Sequence, residues 1–269
     1  RAGKKDAVVL KVALQTTDAA TFVAGMAKPD ANRADSGGPD ATPATPPGSG
    51  KSGGKARPIV VIDPGHGGID PGAVGSAISE KDIVFSVGER LADVLRKGGR
   101  YEVRMTRTSD VFVSLDKRLK MSSDFEADLF ISLHADSILE AQFAESVRGA
   151  TVYTLSERAS DERSRLMAEK ENASDLIAGL SWAGEKGNDE VRDILFDLMQ
   201  RELSNFSADF SNFLVAHLAK NIVMSRDPQR SAAFKVLKQT HAPSILVELG
   251  YMSNSKDQQE MTTAFWQLK

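Results

Sequence analysis

Four histidines are spread over 269 residues, at 66, 134, 217 and 241, and there is no cysteine. With thiolates excluded, any bound metal must be held by imidazole and carboxylate. His66 lies in DPGHGG (63–68), straight after the apolar run PIVVI, and His134 lies in FISLHAD (130–136). A tight turn needs Gly and Pro for backbone reasons, but it has no need of imidazole. Both histidines stand where a strand gives way to a loop, and in open α/β sheets ligands collect just beyond the carboxyl ends of the strands. Two carboxylates join them. Glu80 falls on the first turn of the helix after the His66 loop and can swing back toward it, although an acid there also favours the helix N-terminus. Glu248 lies inside the apolar segment ILVELGY (245–251), where an unpaired carboxylate is costly to bury. His217, in FLVAHLAK on a helix, reads as packing, and His241, in the loop QTHAPS, is open between a loop role and a substrate contact.

Two neutral imidazoles and one carboxylate form a three-ligand zinc set with an open fourth position. Zinc so held lowers the pKa of its water and polarises a carbonyl. A second carboxylate, not a ligand, can then take the water proton and pass it to a departing amine. These residue types fill the roles that amide hydrolysis requires.

The elements that must position them alternate along the chain. IVVID (59–63), YEVRMT (101–106), DLFISL (128–133), ATVYTL (150–155), FKVL (234–237) and SILVEL (244–249) read as strands. Ser79 and Asp82 in SEKD suit a capping box, and Ile83, Val84, Val87, Leu91, Val94 and Leu95 form one helical stripe ending at Gly98-Gly99. A long helical region is expected over roughly 157–224, and a helix closes the chain. The order predicts an α/β fold: an open mixed, mostly parallel sheet with helices on both faces and an inserted helical segment.

Upstream, AVVLKVAL (7–14) could be an isolated strand, and 28–57, rich in Pro, Gly, Ala, Asp, Ser and Thr, reads as a flexible linker. Its GSGKS is not a phosphate loop, because Thr45 stands where that motif needs Gly and no strand leads into it. The net charge of −3 gives no basic excess for nucleic acid. No apolar run approaches the ~20 residues of a membrane span. The start at Arg1, without a signal-peptide pattern, fits a piece of a longer precursor.

With these residues laid out, the chain resembles the zinc-dependent N-acetylmuramoyl-L-alanine amidases of the cell-separation type. VVIDPGHGGIDPGAVG, SEKD, the Thr106-Arg107 pair, ADLFISLHAD, GATVYTLS and PSILVELGYMSN match in order and spacing over about 58–269. KMSSDFEADLF departs from the usual Ala-Asn pair before the third strand, which bears on packing more than chemistry. The resemblance implies Zn2+ on His66, Glu80 and His134, with Glu248 as catalytic base. It implies cleavage between the lactyl group of N-acetylmuramic acid and L-alanine in peptidoglycan, in the periplasm. Residues 1–27 would then be the remnant of an N-terminal targeting domain. Segment 157–200 would be a regulatory insertion whose helix covers the zinc cleft, with Glu171 the first and Glu169 the second carboxylate expected at the open zinc position. A degenerate LytM-domain activator would displace it. Two other readings share the residues: a carboxypeptidase-type zinc peptidase, for which Arg107 would receive the substrate's terminal carboxylate, and a cell-wall binding module that does not need Glu248.

Overall fold

The computed structural model describes residues 57–75, 78–138, 144–177, 179 and 190–269. The expected targeting remnant (1–27), the strand at 7–14 and nearly all of the linker lie outside the described residues. Residues Arg57–Lys269 form one compact unit.

Its centre is a six-stranded sheet built from β1 (Ile59–Pro64), β2 (Glu102–Met105), β3 (Leu129–His134), β4 (Ala150–Leu155), β5 (Met224–Ala232) and β6 (Ser244–Glu248). The spatial order is β2-β1-β3-β6-β4-β5. All neighbours are parallel except β4, which runs antiparallel to β6. The chain leaves β1 for β2 on one side and returns to β3 on the other. The carboxyl ends of β1 and β3 therefore flank a topological switch point, where such sheets form a crevice.

The inner strands read as continuous apolar runs because both faces are covered. Val60, Ile62, Ile131, Leu133, Ile245 and Val247 pack on one face against α1 (Glu80–Lys97), Leu214 of α5 (Glu190–Leu218) and Trp266 near the C-terminus. Val61, Phe130, Tyr153 and Leu246 pack on the other, against Leu115 of α2 (Leu115–Asp124) and Met167 and Ala168 of α3 (Glu162–Asn172). Strand alternation places Asp63, Ser132, His134 and Glu248 on this second face, where the apolar pattern breaks at the strand ends. A one-turn α4 (Ser174–Ile177) follows α3, and α6 (Ser255–Met261) closes the described helices.

Four expectations change. FKVL is not a strand: Lys235–Leu237 is a single 3-10 turn, with the Lys235 N–H capped by Asn172 Oδ1 at 2.6 Å. The polar segment MSRDPQRSA, expected to follow a helix running to 224, is instead strand β5. It pairs only with β4, through an irregular register, so its outer edge tolerates Pro228 and its sequence carries no alternation. The long helical region is divided into α3, α4 and α5. Ser79 is the N-cap residue of α1, but its hydroxyl donates to Asp82 Oδ2 at 2.5 Å rather than closing a capping box with the backbone.

Candidate metal centre

The loop after β1 is shaped for close approach. His66 has a left-handed backbone, φ 56°, a conformation that costs a non-glycine residue and persists only when its surroundings enforce it. Arg118 enforces it, donating to the carbonyls of Pro64 (2.9 Å) and His66 (2.8 Å) while pairing with Asp63 at 2.6 Å. Asp63 also accepts from Thr106 (2.5 Å) and Ser132 (2.8 Å). Burial would raise its carboxyl, but Arg118 and the two hydroxyls outweigh burial and hold it below the usual carboxylate range. Two glycines make room: a Cβ on Gly65 would lie 2.4 Å from His134 Cε1, and one on Gly72 would lie 2.6 Å from Glu80 Oε2.

Around this loop the structure brings His66, Glu80 and His134 together, their ligand atoms within 4.8 Å of one another and all three residues buried. Asp70 takes His66 Nδ1 at 2.8 Å, which turns Nε2 into the cluster. A ligating histidine commonly bonds a carboxylate through its other ring nitrogen in this way. Glu80 is fixed by two backbone donors, the N–H of Ala73 to Oε2 (2.9 Å) and that of Ala135 to Oε1 (2.8 Å). From Glu80 Oε1 it is 3.2 Å to His66 Nε2 and 3.1 Å to His134 Nδ1.

A fourth donor comes from α3. Glu171, 5% exposed, places Oε2 at 3.4 Å from His66 Nε2 and 3.2 Å from His134 Nδ1. Four donors around a tetrahedral zinc at ~2.0–2.1 Å stand about 3.3–3.4 Å apart. Four of the six separations here, at 3.1–3.4 Å, come within a few tenths of an ångström of that length. His66 Nε2, Glu171 Oε1 and Glu248 Oε1 are buried with no hydrogen-bond partner. Burial alone would lower the His66 imidazole, yet Glu80, Glu171 and Asp70 overcome it and raise it well above its ordinary value. A pocket that draws protons onto imidazole suits a divalent cation. The residues fit zinc.

Glu248 is fully buried at the end of β6, and its Cα is paired in register with that of His134. Oε2 accepts from the Asp136 N–H at 3.0 Å. Burial first, then Asp136 and Glu80, push its carboxyl well above the usual range, while the Asp136 N–H pulls the other way. A shift in this direction moves the carboxyl toward the range in which general acid–base groups work. Burial, with Glu171 and Glu80, likewise pushes Asp136 up to about 7, against the pull of Lys170.

Three sequence-based assignments move. Glu169 is exposed and paired with Arg165 on the outer side of α3, since helix positions two apart point roughly 200° away from each other and Glu171 takes the inward one. Arg107 spends four of its five N–H donors on backbone carbonyls: Nε holds that of Pro64 (3.0 Å), Nη2 those of Gly65 (3.0 Å) and Lys81 (2.8 Å), and Nη1 that of Ser109 (3.3 Å). His241 precedes the amino end of β6, a strand's length (~16 Å) from the Glu248 end. His217 bonds the Phe213 carbonyl at 2.8 Å and stacks on its ring, a packing role. Sequence reasoning missed Asp63, Arg118, Asp70, Asp136 and Lys170. Asp70 was within reach, as the acid four residues after His66 in a motif too short to bury it otherwise.

Residues 60–269 match the N-acetylmuramoyl-L-alanine amidase family, Amidase_3. The chain is 37% identical over 217 residues to the N-acetylmuramoyl-L-alanine amidase AmiC of Escherichia coli strain CFT073, covering 80% of this chain but only 50% of that protein. It is 36% identical over 229 residues to AmiA of E. coli strain K12, covering 81% of this chain and 73% of that one. Among solved structures, the amidase AmiC2 of Nostoc punctiforme is 27% identical with a TM-score of 0.54, covering 80% of this chain and 91% of that chain. The catalytic domain of CwlV from Paenibacillus polymyxa shares the fold at 22% identity and a TM-score of 0.52, over 78% of this chain and 90% of that one. Family match, relatives and a crevice at the switch point agree: the chain belongs to the N-acetylmuramoyl-L-alanine amidase family.

Proposed function

We propose that this chain hydrolyses the amide bond between the lactyl carboxyl of N-acetylmuramic acid and L-alanine in peptidoglycan, using one zinc held by His66, Glu80 and His134. The observation that carries the reading is a division between buried carboxyls. Glu80 is pinned by two backbone N–H groups and touches both imidazoles, whereas Glu248 keeps one oxygen without a partner beside them. When bound, zinc supplies Lewis-acid polarisation of the scissile carbonyl. Asp70 orients His66, and the two N–H groups orient Glu80, so the donors need little rearrangement. Glu248 takes a proton from the attacking water and returns it to the departing nitrogen. A carboxypeptidase would need a free guanidinium for the substrate's terminal carboxylate, and Arg107 is committed to four carbonyls.

The position of Glu171 supports a closed resting form. Glu171 Oε2 stands against both imidazoles, where the scissile carbonyl and water would have to enter. We read α3 as an autoinhibitory plug within a regulatory segment at 157–200. An activator, in this family context a degenerate LytM-domain protein, would have to bind the displaced form more tightly than the closed one. Action in the periplasm during daughter-cell separation is the setting that such a substrate implies. No helix among the described residues is long and apolar enough to cross a membrane. The test is digestion of purified peptidoglycan by the zinc-loaded chain with the plug opened by Glu171→Lys. Glycan strands freed of peptide, with new L-alanine amino termini, support the reading. Stem peptides trimmed only from their carboxyl ends contradict it.

A further inference from the structure

Beside Glu171, Lys170 of α3 reaches the loop after β3, and its ammonium bonds the Asp136 carboxylate. Asp136 is 1% exposed, and the hydrolysis described above makes no use of its side chain. Its neighbours tie it to the site: its N–H holds Glu248 Oε2 at 3.0 Å, and its Oδ1 also accepts from the Ser137 N–H at 2.6 Å. The helix has other anchors. Met167 and Ala168 are in the core, and the Asn172 side chain donates to the Ala233 carbonyl (2.8 Å) and accepts from the Lys235 N–H (2.6 Å). What sets Lys170 apart is its place next to Glu171. Two consecutive residues present a carboxylate to the imidazole pair and an ammonium to Asp136 at the same time.

Those are the two groups that amide hydrolysis produces. The C–N bond breaks, the water oxygen joins the carbonyl carbon, and one water proton goes to nitrogen. The new acid then loses its proton, which converts the amine to ammonium, so amide plus water yields one carboxylate and one ammonium. We infer that the Lys170–Glu171 pair is an internal imitation of the two products, and that Asp136 is the acceptor for the amino group released from the stem peptide. The inference rests on the amidase reading. Glu248 must deliver a proton to the nitrogen and is itself held by the Asp136 N–H, so an amine leaving past Glu248 meets the Asp136 carboxylate next. The ligand class follows: a peptide with a free α-amino group at L-alanine. The same peptide acylated on nitrogen lacks the charge and the donors.

The test compares two ways of breaking one ion pair in the zinc-loaded chain. Lys170→Met loosens the plug and vacates Asp136, so basal peptidoglycan hydrolysis should rise. Asp136→Asn breaks the same pair yet should lower hydrolysis by about tenfold or more, the worth of a charge-assisted hydrogen bond. If Asp136→Asn raises hydrolysis as Lys170→Met does, the pair is only a latch and the inference fails. Calorimetry with a short peptide beginning in L-alanine gives a readout independent of turnover and needs no Asp136 variant. Removing Lys170 as competitor should tighten binding of the free-amine peptide by about tenfold more than that of the N-acetylated peptide, which gains only from the loosened plug. Equal effects on both peptides, or on neither, overturn the assignment. If amine binding behaves as expected but Lys170→Met frees no peptide from muramic acid, the amidase reading fails and the amine site stands.

Discussion

At the scale of single residues, the proposed reading separates holding from reacting. Glu80 and Glu248 are both fully buried glutamates, yet burial and neighbours drive them in opposite directions. For Glu80, burial raises the carboxyl, but His66 and His134 overcome it and hold it well below the usual range, as suits a ligand. For Glu248, burial is reinforced by Asp136 and Glu80, as suits a proton carrier. Glu248→Gln should therefore keep zinc and fold while turnover falls on the order of 10²–10⁴-fold, the usual span for one general acid–base group. Near-normal cleavage by that variant would remove Glu248 from the mechanism. Gly65 is the other sensitive position. A methyl group there would sit 2.4 Å from His134 Cε1, so Gly65→Ala should displace the imidazole and cost about 1–3 kcal/mol in urea unfolding, with weakened zinc retention. Unchanged zinc affinity in that variant would show that the ring yields without leaving the site.

At the scale of elements, what was legible in the sequence was what repeats or concentrates. Buried parallel strands read as apolar runs, α1 reads as a stripe, and His66, His134 and Glu248 stand out because strand ends and an apolar strand give them no structural purpose, whereas Glu80 also suits a helix N-terminus. Strand β5 was illegible because an edge strand with one partner needs neither alternation nor apolar faces, and FKVL misled because three apolar residues around Lys235 suit a buried 3-10 turn equally well. Arg107 and Arg118 look alike in sequence, as do Glu169 and Glu171. Only the packed backbone shows which carbonyls consume the arginines, and only the helix phase decides which glutamate points inward. The α3 reading makes an asymmetric demand on that phase. Glu171→Lys should raise basal hydrolysis without any activator, whereas Glu169→Lys, on the exposed side, should leave it near the original level. Peptidoglycan dye release from the two purified variants checks this, and equal behaviour would reduce α3 to surface structure.

At the scale of the whole molecule, the sheet carries a buried ion pair, Asp63 with Arg118, that couples stability to the loop holding His66. Removing one partner of such a pair leaves an uncompensated charge, so Arg118→Met should cost about 3–5 kcal/mol in chemical unfolding. The sign of the pH effect follows from the lowered Asp63 carboxyl. Its stabilisation is present above the unfolded value of about 3.9 and is lost as pH falls through the lower folded value, so Asp63→Asn should flatten the acid limb of the stability curve. An acid limb as steep as that of the parent chain would mean that other carboxylates govern it. The central claim is that three residues hold one metal while Glu248 works beside it without holding it. The most direct measurement is zinc per chain after exhaustive dialysis against a chelator, for the parent, His134→Ala and Glu248→Gln proteins. The account predicts one zinc retained by the parent and by Glu248→Gln, and loss from His134→Ala, because two ligands cannot complete the site. Stoichiometric zinc in His134→Ala, or its loss from Glu248→Gln, would contradict it.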